Sequence, residues 1–424
     1  MAPSPADQPS SNIESPGAGN TAGGSQLTVP TLGELVRTTT HLGAIGYGGP
    51  AILALMKQTL VTKKHWISEN DFMNALSLAQ ALPGATGVTV LGYVGFKLKK
   101  VWGGVLAPLG FITPPTLLMI LLSWAYFTYG QLPFVKSLFA GLGALVVALL
   151  VNAFLVLGKA VFPKLGWRAW KGLVIAVASF ASAYFLHLNV LWIVLGAGAV
   201  GFVLFSLPAA AGPGTSPEPS AGAVALKPER LSIRDLIPAL VVVGIIGAAL
   251  LAPYTRELMG TFLGIGATAF GGGFGSIPLI QSQVVDAHGW LTTKEFVDGI
   301  ALGQITPGPV FITATFIGYR VAGVIGAIVA TLGVFIPSLT AMILLADLHG
   351  RIQGHKAVQA VIKGLQAGFI GLIASVAMQF ALKSLLSWQE WLIFIAGFIY
   401  IGIMKKNSVW AILATIAFSF LFIR

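Results

Sequence analysis

WISENDFMNALSLAQALPG, residues 66–84, returns as WLTTKEFVDGIALGQITPG at residues 290–308. Trp66 pairs with Trp290, Phe72 with Phe296, Gln80 with Gln304 and Pro83-Gly84 with Pro307-Gly308, each 224 positions apart. Past the Pro-Gly the offset becomes 223 and the echo continues: Gly95 with Gly318, Gly110 with Gly333, Pro114 with Pro337, Gly141 with Gly364. The chain is built from two copies of one unit. In so apolar a sequence, duplication points to a secondary transporter or a channel and away from an enzyme.

Hydrophobic residues make up 56% of the 424 positions and charged ones 9%, against about 25% charged in soluble domains. So few charges cannot cover a soluble surface. No Asp, Glu, Lys or Arg occurs in 172–217, nor in 101–135, 137–158, 236–255, 258–285, 299–319, 321–346 or 364–382. Many of these windows reach the ~18–20 residues that cross a bilayer as a helix. The expected fold is an all-α polytopic membrane protein, with membrane lipid as its surroundings. The net charge of +11 sits in short loops between apolar segments. A positive-inside bias explains it without any nucleic acid partner. The absence of cysteine excludes disulfides and thiolate chemistry.

Thirteen apolar elements follow: 32–62, 69–98, 101–128, 134–161, 169–187, 189–207, 235–253, 256–284, 295–320, 322–347, 357–383, 387–404 and 407–423. Residues 1–30, rich in Pro, Ser, Gly and Ala and without Lys or Arg, read as a disordered cytoplasmic tail rather than a signal peptide. The first repeat then covers 31–207, a flexible linker 208–234, a connecting transmembrane helix 235–254 and the second repeat 255–424. If each copy crosses an even number of times, the one extra span inverts the second. Inverted-topology repeats place a substrate site at mid-membrane, between the copies. Loop cations at Lys159, Lys164, Arg168, Lys171, Lys227, Arg230, Arg234, Arg351, Lys356, Lys405 and Lys406 fall on one side. That puts the N-terminus in the cytoplasm and the C-terminus outside.

One region resists. Lys57, Lys63 and Lys64 precede the second element and Lys97, Lys99 and Lys100 follow it, so a single crossing strands one cluster outside. Both of the first two elements are broken near the middle, by Gly48-Gly49-Pro50 and by Pro83-Gly84. Re-entrant hairpins would keep all six lysines inside without changing the parity. Kinked full spans, which membrane helices tolerate, are the alternative.

The breaks are where chemistry can occur. A helix restarting after Pro83 or Pro307 presents unpaired N–H groups and its positive dipole end, which binds anions without a fixed charge. Gln80 and Gln304 stand one turn before the breaks, while Thr86, Thr89 and Thr313 add hydroxyls just beyond. Pro-Gly alone merely permits bending, but the same Gln-framed break in both copies favours a ligand role. Gly48-Gly49 and Gly271-Gly272 resemble an anion nest, although glycine-rich helix contacts give the same composition. Lys97 and Arg320 occupy matching positions and could draw an oxyanion inward, or simply snorkel to headgroups. Arg37 is a single-copy cation. Asp298, matched by Asn74, is a single-copy carboxylate and a candidate coupling residue. Ser68 and Thr292 read as helix caps, with Asp71 and Glu295 completing capping boxes. The six scattered histidines form no metal spacing, no nucleophilic triad assembles, and no cofactor is expected.

The twice-carried motif resembles the chromate ion transporter family in its long, two-domain form. It comprises Tyr47-Gly48-Gly49-Pro50, Trp66, Phe72, Gln80, Pro83-Gly84, Val94-Gly95-Phe96 and Pro114 in one copy. In the other it comprises Phe270-Gly271-Gly272, Trp290, Phe296, Gln304, Pro307-Gly308-Pro309, Ile317-Gly318-Tyr319 and Pro337. The likeness covers roughly 35–160 and 255–385. Copy one departs from it at Ala85, where the family carries a second proline. The resemblance implies chromate export across a bacterial inner membrane, conferring chromate resistance, with sulfate or another tetrahedral oxyanion as the alternative substrate. A homodimer is one assembly open to such a chain.

Overall fold

The computed structural model describes residues 27–47, 49–162, 170–206, 253–270, 272–345 and 356–423, with 244, 247 and 249 between them. The expected tail, the linker and most of the connecting helix lie outside the described residues. All regular structure among the described residues is helical.

The first two elements of copy one are hairpins. Thr31 caps the helix Leu32–Ile45, its side chain accepting from the Glu34 N–H. The chain breaks at Gly46 and returns through Gly49–Lys57, which runs on as a π-helical turn, Gln58–Lys63. The return ends beside the start: Thr28 N–H donates to the His65 carbonyl at 2.9 Å, and Lys64 Nζ meets Glu34 Oε1 at 2.8 Å. The second hairpin has the helix Glu69–Ala81 as one arm, capped by Ser68. Its other arm starts at Thr86 and ends at a sharp reversal, Lys99 (φ −140°, ψ 29°) and Lys100 (φ 52°, ψ −144°). Lys97 near the end of that arm pairs with Asp71 at the start of the first. Arms whose outer ends touch are antiparallel. Each is about 13 residues, or ~20 Å, so neither element is a kinked full span.

Copy two repeats this geometry. Thr292 and Glu295 form a complete capping box at the start of Thr293–Ile305. Arg320 Nε stands 3.7 Å from Glu295 Oε1 at the hairpin mouth. The reversal recurs at Ala322 (φ −145°, ψ 33°) and Gly323 (φ 59°, ψ −145°). Thr261 Oγ1 lies 3.1 Å from His288 Nε2, closing the other hairpin.

The copies are inverted, and one helix proves it. The helix that starts after Lys100 sets out from the Asp71–Lys97 mouth of copy one. It runs to Tyr129 and reaches the other mouth at Tyr126, whose Oη donates to Asp298 Oδ2 at 2.7 Å, and at Phe127, whose ring lies 5.3 Å from Arg320 Cζ. About 26 residues of helix, or ~40 Å, separate the two mouths. They therefore open on opposite faces of the bilayer.

The outer helices interlock the copies. Trp170–Tyr184 and Val190–Ser206 of copy one pack on Lys356–Ser384 of copy two, while Trp388–Phe398 and Ser408–Phe422 pack on Pro133–Val161. Small residues allow the close approach that drives helix association in lipid. A Cβ on Gly201 would fall 2.4 Å from Gly364 Cα, and one on Gly371 would fall 2.0 Å from the Ala176 carbonyl oxygen. Long apolar segments within Thr86–Tyr129, Pro133–Val161, Val310–Leu344 and Ala357–Ser384 are sufficient to cross a membrane. The chain is an all-α, multi-pass membrane protein.

Candidate anion site at the hairpin tips

The four hairpin tips meet at the centre, and they are tied together reciprocally. Gly84 N–H donates to the Ala269 carbonyl at 2.8 Å, and Gly308 N–H donates to the Gly46 carbonyl at 2.7 Å. Gly84 matches Gly308 and Gly46 matches Ala269, so each break docks on the first hairpin of the other copy. The packing is reciprocal too. A Cβ on Gly84 would meet Ser338 Cβ at 2.5 Å, and one on Gly308 would meet Pro115 at 2.9 Å. Ser338 and Pro115 are themselves a matched pair at offset 223.

Beside these contacts lies a cavity of about 510 Å³, within the range of small-molecule sites. Gln80, Thr86, Gly272, Gln304 and Gly308 of the sequence reading line it. So do Ala85, Thr86 and Gly87 at one helix restart and Pro309, Val310 and Phe311 at the other. Neither restart has a side-chain cap: the N-cap positions are Ala85 and Pro309. The first N–H groups of each thus have no side-chain acceptor at the N-cap. Gly272, at φ +75°, bends the backbone at the tip as only glycine does readily. Among the described residues, no Asp, Glu, Lys or Arg lines the cavity. Its polar groups are amides, hydroxyls and backbone donors, which surround an anion without fixing a counter-charge beside it.

The remaining sequence candidates lie elsewhere. The Gly84 and Gly308 amides donate to the cross-copy bonds, and Pro83, Gly84 and Pro307 are not among the described lining residues. Lys97 and Arg320 are held at the hairpin mouths, Lys97 by Asp71 and Arg320 by Glu295 and the Phe127 ring. Arg37 is exposed on the first helix. Asp298 is buried and accepts from Tyr126, outside the cavity lining. Gly49 opens its helix, and Gly48 and Gly271 lie outside the described residues.

Three polar lining residues escaped the sequence reading: Thr306, Gln366 and Ser408. Gln366 stands where copy one has Gly143, so a comparison of the copies could not find it. The available signal was an amide inside the uncharged stretch 364–382, which it shares with Gln379. Thr306 replaces Leu82 within the break itself. Nothing in the sequence marks Ser408.

Comparison with known proteins agrees with this architecture. The family model for the chromate transporter matches residues 33–202 and 256–420, one match per copy. A chromate transport protein of Cupriavidus metallidurans is 32% identical over 370 residues, covering 86% of this chain and 87% of that protein. An uncharacterised transporter of Methanocaldococcus jannaschii is 29% identical over 395 residues, covering 92% and 94%. A shorter uncharacterised transporter of Bacillus subtilis is 29% identical over 175 residues, which is 40% of this chain but 88% of its own. No solved structure matches the chain. With both copies matched across nearly their whole length, the chain belongs to the chromate transporter family.

Proposed function

We propose that this protein is a secondary transporter that exports chromate from the cytoplasm of a bacterium across its inner membrane, and so confers chromate resistance. The observation that carries the reading is the uncharged, donor-lined cavity at two uncapped helix starts, one from each inverted copy. A tetrahedral dianion suits it: many moderate hydrogen bonds hold the ion, and among the described residues no lining cation traps it. The cavity extends toward Leu157, Val161 and Ser408, close to the Lys159 and Lys405-Lys406 ends assigned to the cytoplasm. That orientation supports loading from inside.

Energetics require no ATPase. A negative-inside potential of 100 mV favours outward movement of one negative charge by about 2.3 kcal/mol, hence ~4–5 kcal/mol for a dianion. Proteoliposomes containing the protein should therefore show chromate flux that rises with an imposed potential, and flux indifferent to potential would rule the mode out. Gln80→Ala and Gln304→Ala should each weaken chromate affinity about tenfold, the scale of one lost hydrogen bond to a charged group. Sulfate is the alternative substrate, since backbone donors read charge and shape more than identity. Sulfate that outcompetes chromate for flux would transfer the assignment to it.

A further inference from the structure

A second cavity, of about 490 Å³, lies on the far side of the molecule from the cytoplasmic opening. Gln281, Ser282 and Asp286 face it from the returning arm of the first hairpin in copy two, and Ser375 and Gln379 face it from the helix Lys356–Ser384. The π-helical turn Ser282–Ala287 widens the local spiral and sets Gln281, Ser282 and Asp286 along one face.

The polar relay in this cavity is incomplete. Gln281 Nε2 donates to Gln379 Oε1 at 2.9 Å, and Gln379 Nε2 donates to Ser375 Oγ at 3.3 Å. That orientation leaves Gln281 Oε1 without a partner although Gln281 is only 4% exposed. Ser419 Oγ is the only other buried side-chain atom so left among the described residues. An orphaned buried acceptor costs about 1–3 kcal/mol, and native structures generally fill such a place. Asp286 at the rim adds a carboxylate for which no ion pair forms among the described residues. Packing pushes that carboxyl above its ordinary value, against the pull of Lys383 and His187, and Lys383 itself is hydrogen-bonded to Thr293 Oγ1 at 2.9 Å.

The copies differ sharply here. Gln281 stands where copy one has Lys57, and Asp286 where it has Thr62. Lys57 carries its own ammonium into an ion pair with Glu69 at 2.6 Å. Copy two thus has oxygen atoms and one negative charge in place of a built-in cation. We propose that this cavity is a sodium site, ligated by Gln281 Oε1 with hydroxyl, carboxylate and water oxygens. Hard cations take such oxygen sets, and a single carboxylate balances one positive charge rather than two.

The test uses the purified full chain in detergent, with sodium chloride exchanged for choline chloride at constant ionic strength. Sodium should raise the Tm in proportion to the logarithm of its concentration, by about 3–5 °C at ~100 times its Kd, and radioactive sodium should bind saturably with a stoichiometry of one. Asp286→Asn and Gln281→Leu should each remove both responses while keeping the parental Tm in choline. Gln304→Ala should keep both, which separates this site from the anion cavity. The proposal falls if choline or potassium protects equally, if only calcium or magnesium protects, or if both variants retain the sodium response.

Discussion

Gly84 and Gly308 adopt φ of +106° and +109°, values that side-chain-bearing residues rarely take, and both pack without room for a Cβ. Gly84→Ala should therefore lower stability by about 1–3 kcal/mol from the backbone alone, plus the overlap with Ser338. Adding Ser338→Gly removes the overlap but not the backbone cost. Thermal unfolding should show the double variant regaining part, and only part, of the loss. Full recovery would mean that the torsion is unimportant; no recovery would mean that the contact is. At this scale the sequence was informative where a residue occurs in both copies. Gln80, Gln304 and the Pro-Gly pairs were found because they repeat. Gln366 and Thr306 were not, because their counterparts are Gly143 and Leu82. Lys97 and Arg320 repeat too, yet they close hairpin mouths rather than line the cavity. A matched position fixes a place in the architecture, and that place decides its chemistry.

Element breaks were easier to read than their geometry. The glycine and proline interruptions at 48–50 and 83–84 were plain, but a break does not say whether the chain continues or turns back. The answer lay in contacts between residues 26 to 37 positions apart, Asp71 with Lys97 and Thr28 with His65, which no local pattern encodes. The ion pairs of copy one should differ in strength according to burial. Asp71 and Lys97 side chains are 18% and 25% exposed, whereas Lys57 and Glu69 are 40% and 65% exposed. Solvent screens the second pair more. A double-mutant cycle on thermal stability should give about 1 kcal/mol or more for Asp71–Lys97 and ~0.2–0.5 kcal/mol for Lys57–Glu69. Equal couplings would show that Asp71–Lys97 does not clasp its hairpin.

For the molecule as a whole, the inversion was legible from parity and loop charge, while the interlocking of outer helices across the copies was not. The same inversion can be checked with single cysteines, since the native chain has none. His187 and Asp286 line one cavity and so share a face, whereas Lys64 belongs to a hairpin that opens on the other. In sealed vesicles of known orientation, His187→Cys and Asp286→Cys should react with an impermeant thiol reagent from one side and Lys64→Cys from the other. Labelling of Lys64→Cys and Asp286→Cys from the same side would contradict the antiparallel arrangement.

The crossed bonds from Gly84 to Ala269 and from Gly308 to Gly46 carry a consequence for how such a molecule comes into being. Neither half owns a finished centre: each lends an oxygen that the other's bend requires. A polypeptide of one repeat, alone in lipid, would leave that bend unanswered until an oppositely inserted sibling arrived. Fusion into a single chain removes that search, guarantees one of each orientation, and frees the two halves to diverge.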